Sequence, residues 1–172
     1  LIKMENCQSW YLYSPKKWGT QFWGLLFFLD SLLMQFEDLK SILYLIPCSQ
    51  CRDNALELIK QVSPNLSLSL VRQLERYVTT KIHSKTNCTA PVDGLVYKQQ
   101  EKFYTKVKKY ENMAKSLPRY WIQLENTIAC KINRENVKHE IHNEVLNGIN
   151  TLCLLLQKKN ISCNVLESKK KL

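Results

Sequence analysis

Two of the chain's seven cysteines, Cys48 and Cys51, are separated only by Ser49 and Gln50 and follow Pro47. A Cys-x-x-Cys pair at the start of a helix can do chemistry that isolated cysteines cannot. The free N–H groups and partial positive charge of a helix N-terminus stabilise a thiolate and lower its pKa. Two intervening residues let the sulfurs close a disulfide within one turn, giving a dithiol that exchanges with thiols of other proteins. Two blander roles compete with this one: half of a zinc site, or a pair of buried thiols. Zinc would have to draw on His139 and His142, or on Cys130 and Cys153, since no second Cys-x-x-Cys follows at finger spacing. The cysteines are odd in number and irregular in spacing, which does not suit a small disulfide-stapled secreted scaffold.

The elements that must hold this pair read as helices almost throughout. After Pro15, an apolar segment from about Lys17 to Gln35 is too continuous for a clean amphipathic stripe, so it predicts a helix buried on most sides. Leu39, Ile42, Leu43 and Leu45 recur at helical spacing over a second helix, from about Glu37 to Tyr44. Pro47 stops that helix and suits the first turn of a third, which starts around the cysteines and runs through Ile59. Ser67 or Ser69 can cap a fourth that carries Leu70, Val71, Leu74, Tyr77, Val78 and Ile82. Beyond the loop Thr89–Gly94 come a Lys-rich helix over about Leu95–Ala114, a breaker at Pro118, and helical patterns over about Tyr120–Ile132 and Glu135–Lys159. The last bears an apolar stripe, Val137 to Leu156, of the kind that packs onto a core or against a second chain.

Composition sets the outer bounds. The 172 residues are 45% apolar and 23% charged, with 4 Gly and 5 Pro, enough to bury a core without disulfide staples and too few turn formers for a sheet-rich fold. The best apolar run, Phe22–Met34, carries Asp30 and is shorter than the roughly 18–20 residues of a membrane span. The first residues do not read as a signal peptide. A formal charge of +10 arises largely from Lys98–Arg119 and the tail Lys169–Lys171, but no nucleic-acid motif accompanies it, so such partners are not expected.

Trp18-Gly19 with Trp23, followed by Pro47-Cys48-Ser49-Gln50-Cys51-Arg52, resembles the WG-x-x-x-W and PCxxCR segments of FAD-dependent sulfhydryl oxidases of the Erv/ALR type, above all the short enzymes of large DNA viruses. In that family an H-N-x-V-N segment follows about thirty residues after the second cysteine. Here His83 and Asn87 stand at that spacing, with Ser84 and Thr86 departing from the pattern. A rival, His142 to Asn147, lies much farther along the chain. The resemblance covers about Pro15 to Tyr104. It implies an all-α fold: a four-helix bundle with a short fifth helix holding FAD, here carried by residues 15–104, with a tail at 1–14 and a C-terminal helical extension at 105–172.

By the same resemblance, Cys51 is the sulfur next to the flavin and Cys48 the outer one that exchanges with a dithiol substrate protein or a thioredoxin-like carrier. Electrons pass through the pair to FAD and then O2, releasing H2O2. Trp18, Gly19, Trp23 and Phe27 line the cofactor, Phe27 standing where many cellular members have histidine. Lys17 faces its phosphates, and His83 and Asn87 contact the adenosine part. Cys7 is a candidate shuttle, while Cys130, Cys153 and Cys163 are open to structural pairing. The extension packs on the oxidase domain or builds a homodimer, and the viral likeness implies the cytoplasm or nucleus of an infected cell, or the virion. A non-enzymatic helical module, binding nucleic acid by its basic face or stabilised by zinc, is the alternative. If His83 and Asn87 anchor the cofactor from one helical face, His83→Ala weakens flavin retention on dialysis and His142→Ala leaves it nearly unchanged; the reverse result would move the anchor to the second segment.

Overall fold

A run as apolar as Phe22–Leu29 has no face to spare for water, and the helix it forms is covered on nearly every side. The computed structural model describes residues 15–83, 97–134 and 141–165. These form α1 (Pro15–Asp30), α2 (Phe36–Leu43), α3 (Ser49–Leu58) continued by a 3-10 turn at Ile59–Gln61, α4 (Leu70–His83), α5 (Tyr97–Lys115), α6 (Leu117–Arg134) and α7 (His142–Gln157). The fold is all-helical, with no strand among the described residues. Helix α1 packs against α4, α5 and α6; α2 packs against α3 and α7; α4 lies between α3 and α5.

Three boundaries differ from the sequence reading. Helix α1 ends at Asp30 rather than Gln35, because Leu33 takes a left-handed φ of 59° and the chain turns back there. Gln35 then starts α2, its backbone N–H donating to the Asp38 carboxylate at 3.1 Å. Pro118 does not break a helix. It is the second residue of α6, where a missing N–H leaves no intrahelical bond unmade. Helix α7 begins at His142, and residues 135–140 lie outside the described part. Its stripe, here Val145, Ile149, Leu152, Cys153 and Leu156, is buried, and α7 packs on α2 within the same chain.

Side-chain bonds fix the connections around the cysteine pair. Ser69 is the residue that caps α4, its Oγ accepting from the Arg72 amide at 3.3 Å. Gln73, fully buried, holds the loop before it: Nε2 donates to the Ser63 and Leu68 carbonyls at 2.7 and 2.8 Å, and Oε1 accepts from the Ser63 amide at 2.9 Å. At the far end, Cys153 and Cys163 form a disulfide. The segment after α7 is pinned to α6, where Trp121 Nε1 donates to the Ser162 carbonyl and Glu125 accepts from the Asn164 amide.

A single apolar cluster runs from Trp18 and Phe22 through Ile42 and Leu74 to Phe103, Leu124 and Ile149, so the core is continuous across position 104. Its tightest approach is at Gly24. A Cβ there would press on the Tyr120 hydroxyl and come within 3.0 Å of Met113 Cβ, so α1, α5 and α6 meet where one residue has no side chain. The Tyr120 hydroxyl is buried without a hydrogen-bond partner among the described residues. Gly24→Ala is therefore expected to destabilise the fold by about 1–3 kcal/mol through overpacking. Adding Tyr120→Phe, which removes the hydroxyl in the way, recovers much of that loss in denaturant titrations.

Candidate functional site

The cysteine pair sits where α3 begins. Cys48, in extended backbone at φ −113° and ψ 123°, is the N-cap. Its carbonyl accepts from the Arg52 amide at 2.8 Å, and its sulfur accepts from the Cys51 amide at 3.2 Å. The sulfur that receives the helix's N-terminal donor is thus Cys48. Cys51 lies one turn in, on the stripe Cys51, Asn54, Ala55 and Leu58, whose i, i+3, i+4, i+7 spacing turns one face toward the bundle.

That face forms one wall of a cavity of about 410 Å³, within the range of small-molecule pockets at about 300–1,000 Å³. Helix α1 contributes Trp18, Gly19, Phe22, Trp23 and Leu26; α2 and the residues after it contribute Leu43 and Ile46; α4 contributes Leu74 and Val78. The lining is almost wholly apolar, and two indole rings supply broad flat surfaces. Trp23 is itself supported from behind by Tyr110 of α5, stacked at 5.7 Å and 16°. In front of Gly19 there is open space: a Cβ there would meet nothing within 4 Å.

Of the residues expected around a cofactor, Trp18, Gly19 and Trp23 are brought together with Cys51. Phe27 is not. At 100° per residue, the step from Leu26 to Phe27 carries it past the edge of the cavity-facing stripe. Its ring instead meets Tyr110 at 5.7 Å and lies 6.0 Å from the Arg72 guanidinium carbon. Cys48 does not line the cavity; it stands beside Cys51 and, like it, is half-buried. His83 is the last residue of α4, beyond Val78, but its side chain and that of Lys17 lie outside the described residues, as do Cys7 and Asn87. The rival His142 is exposed at the start of α7 and lines no part of the cavity.

Sequence reasoning missed Phe22, Leu26, Asn54, Ala55, Leu58, Leu74 and Val78, all of which extending the helical period from Trp18, Cys51 or Leu70 would have found. Nothing local marks Tyr110, or Lys131 of α6, whose ammonium donates to Ser49 Oγ at 3.4 Å. Zinc loses both of its candidate cysteines: Cys153 is committed to Cys163, and Cys130 is also disulfide-bonded.

The electrostatics correct the expectation of a lowered thiol pKa at Cys51. Burial pushes the Cys51 thiol up to about 11, and the hydrogen bond and charge of the adjacent Cys48 add to the rise. Its own backbone and Lys131 pull the other way, and do not win. In the reduced pair, Cys51 keeps its proton at neutral pH.

Comparison of the chain with protein-family models, with curated proteins and with solved structures finds no match. The site therefore has to be judged on its own geometry. Alkylation requires the thiolate, so in the reduced protein iodoacetamide labels Cys51 only slowly near neutral pH, with a rate that climbs as pH approaches about 11. Peptide mass spectrometry after pulsed labelling checks this; rapid labelling of Cys51 at pH 7 would contradict the burial argument.

Proposed function

We propose that the chain is a flavin-linked thiol oxidase that forms disulfides in dithiol substrates, with FAD in the cavity walled by α1, α3 and α4. The single observation that carries this reading is the position of Cys51. A redox-competent sulfur forms part of the wall of an apolar cavity lined by two tryptophans, while its partner Cys48 stands outside that wall. The residues present fit an aromatic ring system: Trp18 and Trp23 offer flat faces, and the open space before Gly19 leaves room that no described side chain fills.

In the mechanism this implies, a substrate thiolate attacks Cys48 Sγ of the oxidised pair. The Cys48–Cys51 bond breaks, and its electron pair leaves on Cys51 Sγ, at the cavity wall. A second substrate thiolate then attacks the mixed disulfide, releasing oxidised substrate and leaving Cys48 as a thiolate that accepts the Cys51 amide. FAD, if bound there, would supply a two-electron acceptor for the reduced pair and the means of passing those electrons to O2 as H2O2. The chain's part is to present Cys51 to the ring, to expose Cys48 to substrate and to keep water from the cavity.

Three substitutions test this on protein loaded with FAD. Cys51→Ser and Cys48→Ser each bring dithiol-dependent O2 uptake to background while flavin stays bound, because the cavity rather than the sulfur holds it. Gly19→Leu fills the open space and lowers flavin occupancy by about tenfold or more, as expected for a lost cradle worth at least 1.4 kcal/mol. Protein that takes up no flavin and oxidises no dithiol would refute the reading.

A further inference from the structure

We infer that Lys131, on α6, is a positioning residue for the Cys48/Cys51 couple, holding a fixed positive charge beside the bond that breaks on exchange. The inference deepens the oxidase reading and rests on it for its role in turnover, but not for its electrostatics.

The geometry is specific. The Lys131 ammonium donates to Ser49 Oγ at 3.4 Å, and Ser49 lies between the two cysteines at the first turn of α3. The contact joins residues 82 apart in sequence. The backbone that carries Lys131 is held in place by its neighbours on α6, Cys130 and Ile132, which are 1% and 5% exposed. Lys131 is itself half-buried, so its charge is screened less than that of a fully solvated lysine.

The other groups around Cys51 leave this charge without a rival. Cavity residues from α1, α2 and α4 are apolar, and Arg52, next in the chain, is paired with Asp53 at 3.1 Å. Cys48 raises the cost of a Cys51 thiolate; Lys131 is the side chain that lowers it. When the substrate thiolate bonds to Cys48 Sγ and the Cys48–Cys51 bond breaks, the departing electron pair and negative charge reside on Cys51. A nearby ammonium stabilises that leaving group, and a better leaving thiolate speeds exchange. A segment with no part in the family resemblance thereby supplies a component of the redox site.

The test follows the rate of iodoacetamide labelling of Cys51 in the reduced full-length protein, by peptide mass spectrometry at fixed pH values from about pH 6 to about pH 9, where the rate tracks the small thiolate fraction. Lys131→Gln is expected to slow labelling roughly three- to tenfold at each pH, and Lys131→Arg to restore it. In the unmutated protein, raising the salt concentration slows labelling in the same direction, a readout that does not depend on any variant folding. A rate unmoved by both Lys131→Gln and salt overturns the inference. The two readings fail separately: a Lys131 effect on labelling without FAD-dependent thiol oxidation leaves the charge assignment standing and removes the oxidase, whereas oxidation without the labelling effect does the reverse.

Discussion

Helix α1 has to satisfy two surfaces at once, and its rotation of 100° per residue decides how. One stripe, Trp18 to Leu26, walls the cavity that Cys51 faces. The other, centred on Gly24, is where α5 and α6 come close enough for Tyr120 and Met113 to touch the backbone surface of α1. Neither stripe can turn without dislodging the other. A shift of one residue would bring Gly24 toward the cavity and drive Leu25 into Tyr120 and Met113. The close approach at Gly24 thus sets the angle at which both tryptophans meet whatever the cavity holds.

The start of α3 divides labour between two chemically identical side chains. A helix N-terminus has few free donors, and the Cys51 amide points to one sulfur only, that of Cys48. Cys51 is left with burial and a neighbouring sulfur, both of which favour its neutral form. The asymmetry comes from position alone: one cysteine caps the helix in extended backbone, the other is already in its first turn. Pro47 ahead of the cap and Gln73 behind the following loop keep that register from sliding.

What was legible in the sequence is what is local. The Cys48–Cys51 spacing, the helix around it, the Ser69 cap and the buried character of α1 follow from neighbouring residue types and short periods. The all-helical class follows from the same periods summed along the chain. Phe27 falls outside the cavity lining because helical phase carries its ring one step past that face, which a motif match does not register. Leu33 ended α1 early because an apolar composition does not reveal a left-handed turn. Tyr110 behind Trp23 and Lys131 beside Ser49 had no signal at all, since each depends on which distant helices become neighbours. Those are tertiary facts, decided by how the seven described helices share one core.

The pairing of α1 with helices far downstream also governs the order in which the chain can acquire this site. Gln21 of α1 meets Gln123 of α6 across 102 residues, so neither α1 surface opposite the cavity is covered until most of the chain has been made. At about 5–20 residues per second of synthesis, that leaves the apolar back of α1 open for seconds. During that interval α1 to α4 can already enclose the cysteine pair, while the ring of Trp23 still lacks Tyr110 behind it. The cavity is thus roughed out by the first half of the chain and made rigid by the second.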